Sequence, residues 1–316
     1  MLDQTQQDFE IIIVDDCSTD NSEEVIKSFK DPRIRFFKNE KNLGMVRSTN
    51  KALKLANGEI VGILHSDDYY APKMIETALK TFDENPRVGL VYSSYTVVDE
   101  WDKIITRTKL CDCDKTFESK EEFKKLAIQN YFSPSAVLVR KRCYEDIGLF
   151  DEEFPYPNDW NMWLRISLKY DSACLSDYLC YYRVHKRSVS ALLYTSFETA
   201  MQEYFMLKKL QKGLDTPELV SFVEEGARRA AKRALLNSAV GLPSGGRDRA
   251  LNLFFRALKL EKKNLIWPPT LVYPFIILSG WKGLKVFVKL YKKLPRMLKQ
   301  FIPFHDLETL FYRYGL

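Results

Sequence analysis

The chain has 316 residues, of which 46% are apolar and 28% are charged, an ordinary globular composition with ample material for a core. The net charge of +6 is unevenly distributed. Residues 241–316 hold 14 Lys or Arg against 4 Asp or Glu, which leaves a balance of −4 for the remainder. The strongly basic end indicates a polyanionic partner, either nucleic acid or an anionic membrane surface.

The sequence supports neither a zinc site nor a membrane-spanning helix. The longest apolar window, residues 265–281, contains three prolines and is shorter than the roughly 20 residues that a span needs. No charged-then-apolar signal segment opens the chain. The cysteines lack CxxC spacing, and their spread is typical of free thiols in a reducing compartment, which predicts a cytoplasmic protein. They are Cys17, Cys111, Cys113, Cys143, Cys174 and Cys180.

Alternating strands and helices are predicted for the first part of the chain, which favours an α/β fold with a mostly parallel sheet covered on both faces. The predicted strands cover residues 9–14, 34–38, 59–64, 88–93 and 135–140. The predicted helices cover residues 22–29, 45–56, 72–85, 118–129 and 160–169, with a strand pair or long loop over 95–117. Beyond a boundary near residue 190, helices are predicted over 195–212, 217–240 and 247–259, so the domains are 1–190 and a helical region, 191–316.

Two of these strands end in paired carboxylates. The first is a β-branched run, predicted to be buried, that stops at Asp15 and Asp16, and the second leads through His65 to Asp67 and Asp68. Acids at the ends of neighbouring strands would lie a few ångströms apart, which is unfavourable unless a cation joins them. A hard divalent ion that also binds phosphate oxygens fits this arrangement. Taken singly, each pair is better explained by a structural role: Asp67-Asp68 as the cap of the helix predicted from residue 72, and Asp15-Asp16 as the start of a loop.

Five short segments then occur in a fixed order. They are residues 8–20, Asn42-Leu43-Gly44 followed by Asn50, His65-Ser66-Asp67, residues 150–152 with 158–165, and Tyr182-Arg183-Val184-His185. Together they resemble the family 2 glycosyltransferases, which have the GT-A nucleotide-sugar-binding fold. The resemblance covers residue 1 to about 190. It implies transfer of a sugar from a nucleotide-diphosphate sugar to a saccharide or glycolipid hydroxyl, in bacterial polysaccharide or glycolipid synthesis.

The resemblance also implies roles for particular residues. The first motif supplies Asp15 and Asp16, and Asp16 contacts the nucleotide base. Asp67, with His65 and Asp68 in the nucleotide-sugar site, would hold Mg²⁺ or Mn²⁺ together with His185. Asp159 is the catalytic base that takes the proton of the acceptor hydroxyl. Attack opposite the leaving group inverts the anomeric centre and needs one protein carboxylate, unlike the two of glycoside hydrolysis.

Two departures from the family pattern lead to further expectations. His65 stands where many members have the first Asp of the metal motif, and neutral histidine can ligate a metal or bond a ribose. The segment before Phe9 resembles the one preceding the family's second strand, so we expect the coding sequence upstream of Met1 to encode an apolar strand and a helix. Without that strand, a sheet edge beside residues 9–14 is left exposed.

Several side chains have two interpretations. Trp160 and Trp163 lie three apart on one helix face, which favours core packing over stacking on a sugar. Arg47 either reaches a diphosphate or lies on a helix surface. The lysines interleaved with apolar residues over 282–299 suit either an interfacial helix on anionic lipid or a solvated helix packed on the catalytic domain. No nucleic-acid recognition motif appears, so that partner is not expected.

Two rival functions come from other classes. A catalytically silent nucleotide-sugar-binding protein of the same fold would also carry these motifs, and His65 favours it. A receiver-like signalling domain has an acid pair after a strand, but it accounts for neither Asp67-Asp68 nor the segment around Asp159.

Overall fold

A computed structural model of the chain describes residues 1–185, 188, 196–238 and 251–260. The chain divides into two compact units, residues 1–185 and residues 186–316. The boundary predicted near residue 190 and the interfacial segment predicted over 282–299 both lie outside the described residues.

The first unit is built from nine strands and six α-helices over its described length. The strands are β1 (Ile11–Asp15), β2 (Ile34–Lys38), β3 (Ile60–Gly62), β4 (Tyr69–Tyr70), β5 (Val88–Val98), β6 (Ile104–Thr108), β7 (Lys115–Phe117), β8 (Val137–Arg140) and β9 (Asp171–Arg183). The helices are α1 (Ser22–Ser28), α2 (Met45–Leu55), α3 (Met74–Glu84), α4 (Glu121–Ile128), α5 (Lys141–Ile147) and α6 (Asn158–Ser167).

The main sheet has seven strands and is mixed. Its central path runs β3-β8-β5-β9-β4, with β6 paired to β5 and β7 to β9. Within it only β5 and β9 run parallel, whereas the other paired strands run antiparallel. The α/β class is therefore correct, but the expected mostly parallel direction is wrong for this sheet. The alternation of strands and helices could not show that β8 inserts between β3 and β5 in the reverse direction.

β1 and β2 form a separate two-stranded parallel sheet. The sequence predicted that β1 is buried, yet Ile11, Ile12, Ile13 and Val14 are only half-buried. The reason is that β1 has one neighbour, β2, on the described part of the chain, so its other edge is not paired. The exposed edge predicted beside residues 9–14 is thus present.

The core of the first unit lies around β5, whose residues are almost all buried. α3 contributes Met74, Ala78 and Phe82 to this cluster, each at most 1% exposed. Burying a large aliphatic or aromatic side chain stabilises the fold by about 1.5 to 3 kcal/mol. The core therefore fixes the ends of β5 and β9 and the turn before β4, which carry the candidate site.

The cysteines differ from the prediction. Cys111, after β6, and Cys174, on β9, are joined in a disulfide with their Cα atoms 6.4 Å apart. The expectation of six free thiols is wrong for this pair, because folding brings together two cysteines that are 63 residues apart. Cys17, Cys113, Cys143 and Cys180 are free.

The second unit is helical where it is described. It contains α7 (Phe197–Gln211) and α8 (Pro217–Ser238), which pack against each other, and residues 251–258 are also helical. The ion pair between Arg233 and Glu203, 2.7 Å apart, joins the two long helices. None of the described helices combines the length and the apolarity needed to cross a membrane.

Candidate active site

Asp16 joins the end of β1 to the start of α2. Its carboxylate accepts hydrogen bonds from the backbone N–H groups of Leu43 and Gly44, both at 2.8 Å, and from the Asn39 amide at 2.9 Å. Partial burial raises the pKa of Asp16, but these hydrogen bonds outweigh it and bring the pKa below its usual range. Gly44 has a φ of +87°, a conformation that favours glycine. The Asn42-Leu43-Gly44 motif is therefore the cradle of this carboxylate.

Asp15 is buried, and its carboxylate closes a turn with Ser18 and does not share the hydrogen-bond donors of Asp16. Its Oδ1 accepts from the backbone N–H of Ser18 at 3.1 Å and from the Ser18 hydroxyl. Its Oδ2 is buried without a hydrogen-bond partner in the described chain. Such an atom is costly unless a ligand or water satisfies it.

Three side chains after β3 form a cluster with metal-ligand chemistry. The ligand atoms of His65, Asp67 and Asp68 all lie within 4.8 Å of one another. Carboxylate oxygens suit Mg²⁺ and Mn²⁺, and imidazole is also a common metal ligand. These donors fit the divalent ion that the sequence implies. The predicted metal ligands were Asp67 and His185. The cluster contains Asp67 together with His65 and Asp68, and it does not contain His185.

The two acid pairs do not meet at one cation as predicted. Among the residues that the structure describes, the group of possible ligands contains neither Asp15 nor Asp16. The physical reason is the sheet order, because β1 pairs with β2 and not with β3, so the two strand ends are not adjacent.

His185 lies directly beside the cluster. Its Nε2 is 3.1 Å from Oδ2 of Asp67. The sequence assigned these two residues to one site although they are 118 positions apart, and the structure brings them into contact. Whether His185 ligates the metal stays a prediction.

Asp68 is held by residues that the sequence reasoning missed. Its Oδ2 accepts from the Ser135 hydroxyl, which itself accepts from the backbone N–H of His65 at 3.2 Å. Its Oδ1 accepts from the backbone N–H of Arg183 at 2.8 Å. Burial raises the pKa of Asp68, against the effect of these hydrogen bonds. Ser135 precedes β8 and carries no motif, so only the fold reveals it.

Asp159 lies in the first turn of α6. It accepts from its neighbour, the backbone N–H of Trp160, at 2.7 Å and from the Asn130 amide at 3.2 Å. Burial raises the pKa of Asp159, and the hydrogen bonds and the charge of His65 partly offset this. His65, a member of the cluster, is thus close enough to influence the Asp159 carboxyl electrostatically.

The two tryptophans of α6 are core residues. Trp160 is 3% exposed and donates its indole N–H to the Leu126 carbonyl at 2.7 Å, while Trp163 is 1% exposed and lies edge-on to Phe150. Of the two interpretations, core packing is correct for both. The packing of these two rings in the core therefore holds α6, and Asp159 with it, in place. Neither ring is available to stack on a sugar.

Arg47 is a surface residue of α2. Its Nε is 2.7 Å from a carboxylate oxygen of Glu152, and both side chains are at least half exposed. With Lys51, Lys54 and Phe150 it lines a cavity of about 520 Å³. These contacts favour the interpretation of Arg47 as a helix-surface residue over a contact with the diphosphate.

Comparisons with known proteins bear on the family of this chain. A sequence profile described as "Glycosyl transferase family 2" matches residues 1–148. The Escherichia coli protein "UDP-Glc:alpha-D-GlcNAc-diphosphoundecaprenol beta-1,3-glucosyltransferase WfaP" is 33% identical over 214 residues, which cover 66% of this chain and 78% of that relative. The chain belongs to glycosyl transferase family 2. It spans 63% of the length of an uncharacterized glycosyltransferase from Methanocaldococcus jannaschii that is 31% identical over 58% of this chain.

Solved structures of glycosyltransferases share the fold. Staphylococcus aureus TarS 1–349 in complex with UDP-GlcNAc has a TM-score of 0.64 at 19% identity, covering 82% of this chain and 74% of that one. The mannosyltransferase PcManGT from Pyrobaculum calidifontis, in complex with GDP-Man and Mn²⁺, has a TM-score of 0.53 at 19% identity, covering 89% and 80%. The family 2 chain therefore has the GT-A fold that the resemblance implied.

One buried carboxyl of this family 2 chain gives a test of the folded structure. Glu122 on α4 is fully buried. Its Oε2 accepts from the Tyr92 hydroxyl at 3.1 Å, while its Oε1 has no hydrogen-bond partner among the described residues. Burial raises the pKa of Glu122, so the folded state holds a proton that the unfolded state releases. Stability must therefore fall as the pH rises from the unfolded pKa through the folded one.

We expect Glu122→Gln to remove this pH dependence. Urea unfolding of both proteins between pH 4 and pH 8 measures the effect. The free energy of unfolding of the variant should increase relative to that of the wild type as the pH rises. Each unit of pKa difference contributes about 1.4 kcal/mol. A constant difference in the free energy of unfolding across this range would contradict the assignment.

Proposed function

We propose that this chain is a metal-dependent, inverting glycosyltransferase that uses a nucleotide-diphosphate sugar. The observation that carries the proposal is the cluster of His65, Asp67 and Asp68 with His185 in contact with Asp67, in a chain that also carries Asp159 in its acceptor-side motif. A base for the acceptor and a charged site for the leaving diphosphate are the two parts that such a reaction needs. WfaP of Escherichia coli, named as a glucosyltransferase acting on a diphosphoundecaprenol-linked sugar, supports bacterial polysaccharide or glycolipid synthesis as the setting.

The residues have distinct tasks in this proposal. The Asp16 carboxylate, oriented by Leu43, Gly44 and Asn39, would accept a hydrogen bond from the nucleotide base. His65, Asp67 and Asp68, with His185 beside them, would hold Mg²⁺ or Mn²⁺. The ion stabilises the charge of the departing diphosphate when it is bound.

Asp159 performs the proton transfer. Its carboxylate removes the proton of the acceptor hydroxyl as the oxygen attacks the anomeric carbon from the face opposite the leaving group, and this inverts that centre. Because burial raises the pKa of Asp159, the carboxylate is a stronger base than a solvated one. Asn130 and the Trp160 N–H fix its orientation.

A donor screen by thermal shift tests the function. UDP-glucose, UDP-GlcNAc and GDP-mannose are each added with Mn²⁺ or with EDTA, and one donor is expected to raise the melting temperature only with the metal. A ligand at 100 times its Kd stabilises by about 2.7 kcal/mol. Stabilisation by none of the donors with either Mg²⁺ or Mn²⁺ would contradict the proposal. Binding without any turnover of the donor in the presence of acceptors would favour the catalytically silent binding protein.

We also propose that the basic end of the chain attaches it to an anionic membrane surface, on the inner face of the cell membrane. The balance of +10 after residue 241 supplies attraction of about 1 kcal/mol for each Lys or Arg near the surface. The full chain should co-sediment with phosphatidylglycerol vesicles and be released by salt, because a Debye length of about 8–10 Å screens such contacts. Equal binding to neutral vesicles, or none to either, would contradict this.

A further inference from the structure

The turn between β5 and β6 is an ordered hairpin tip, residues 99–103. The Asp99 carboxylate accepts from the backbone N–H groups of Trp101 and Lys103, both at 2.9 Å. The Asp99 N–H donates to the Lys103 carbonyl at 3.0 Å, and Asp102 adopts a left-handed φ of +65°. The backbone that carries Trp101 is therefore fixed before anything binds to it.

This fixed backbone presents an exposed aromatic ring. Trp101 is 77% exposed, the highest exposure among the large apolar side chains of the described residues, and Ile104 and Ile105 beside it are about half exposed. An exposed apolar surface next to a polar rim is typical of a binding site. Since the tip is already ordered, a ligand that covers Trp101 has little loop ordering to overcome.

Arg183 fastens the hairpin tip to the candidate active site. Its Nη1 donates to the Asp99 carbonyl at 3.0 Å, and its Nη2 donates to the Asp102 carboxylate at 2.8 Å. Its Nε donates to the carbonyl of Asp67 at 2.9 Å. One guanidinium group thus bridges the tip and the residue that the metal site requires. The tip is therefore joined by hydrogen bonds, through Arg183, to the backbone of the metal-ligand cluster.

We infer that Trp101 is a platform for a pyranose ring of the saccharide acceptor, an inference that rests on the proposed function. The apolar C–H face of a pyranose packs on an indole ring, and carboxylates at the rim accept from its hydroxyl groups. The tip offers such carboxylates on Glu100 and Asp102. Acids outnumber the one lysine of the tip, and Arg183 is already paired with Asp102, so the tip suits sugar hydroxyl groups better than anionic lipid headgroups.

Fluorine NMR of the full chain labelled with 5-fluorotryptophan tests this inference. The chain has five tryptophans, and Trp101→Phe assigns the resonance of Trp101. Methyl and p-nitrophenyl pyranosides are titrated in the presence of UDP and Mn²⁺. We expect a saturable shift of the Trp101 resonance, while the buried Trp160 and Trp163 do not respond.

Kinetics with the same pyranosides provides the second measurement. We expect Trp101→Ala to raise the acceptor KM by about tenfold with little change in kcat, and Trp101→Phe to restore most of the affinity. Mn²⁺-dependent UDP binding should be unchanged. Phe29→Ala, at another exposed aromatic residue of the first unit (55% exposed), is the matched control and should have no effect on the acceptor KM.

The outcomes separate this inference from the proposed function. Normal UDP binding with no response of Trp101 to any pyranoside would overturn the inference and leave the function intact. An absence of UDP binding by the wild-type protein would instead contradict the proposed function. A shift of Trp101 with phosphatidylglycerol vesicles but not with pyranosides would assign the tip to a membrane and also overturn the inference.

Discussion

Asp159→Asn is expected to slow sugar transfer by about 10² to 10⁴-fold, the usual contribution of a general base. The amide keeps the size of the side chain and an oxygen that can accept from the Trp160 N–H, but it cannot take the proton of the acceptor. Donor affinity should stay near the wild-type value, because Asp159 is not among the residues that cradle Asp16 or form the His65-Asp67-Asp68 cluster. The effect should thus appear in kcat and not in Mn²⁺-dependent UDP binding.

The pH dependence gives a second signature of Asp159. Only the ionised carboxyl can accept a proton, and burial raises its pKa above the usual range. The wild-type rate should therefore rise as the pH increases through this pKa and decline as the pH falls through it. The asparagine variant should lack that limb. Asp83→Asn, at an exposed acid of α3, is the control, and near-normal transfer by the Asp159 variant would exclude this residue as the base.

Asp67→Ala is expected to abolish the enhancement of donor binding by divalent metal. Asp67 is the member of the cluster that also contacts His185, so its removal takes away both a carboxylate ligand and the partner of that imidazole. Loss of groups that merely orient metal ligands already costs about 10- to 100-fold in metal affinity, and loss of a ligand should cost at least as much. Calorimetric titration of UDP with and without Mn²⁺ measures the difference directly.

Controls for this variant separate the metal from the fold. Asp83→Ala should keep the full response to Mn²⁺, and circular dichroism should show that Asp67→Ala retains its secondary structure. If UDP binding by Asp67→Ala still strengthened with Mn²⁺ as in the wild type, the cluster would not be the metal site.

Much of the fold could be predicted because local patterns determine it. β2 spans Ile34–Lys38 as predicted, and α2, at Met45–Leu55, begins at the predicted residue, directly after Gly44. β9 was missed because its 13 residues include Asp171, Ser176 and Asp177 without clear alternation. Its extended form follows from its long pairing with β5, which lies beyond any sequence window. The two-residue strand β4 likewise exists only through its pairing with β9.

The candidate site shows the same division. Motifs predicted His65, Asp67 and His185, and the structure brings these three residues together. The spatial grouping of the two acid pairs was wrong because it depended on strand order. Arg183 and Ser135 were missed as positioning residues because their partners are set by folding alone.

Two hydrogen bonds join Asn50 on α2 to Phe150 in the loop before α6. They determine which substitutions positions 50 and 150 tolerate. The Asn50 side-chain Nδ2 donates to the Phe150 carbonyl, and the Phe150 N–H donates to the Asn50 side-chain Oδ1, both at 3.0 Å. Residue 150 is held through its peptide groups, so any large apolar side chain that fills the space beside Trp163 can stand there. The side chain at position 50 must present a donor and an acceptor at a fixed distance from the backbone. Aspartate has no donor, and the glutamine side chain is one methylene too long. A library varied at both sites should therefore return many residues at 150 and asparagine alone at 50.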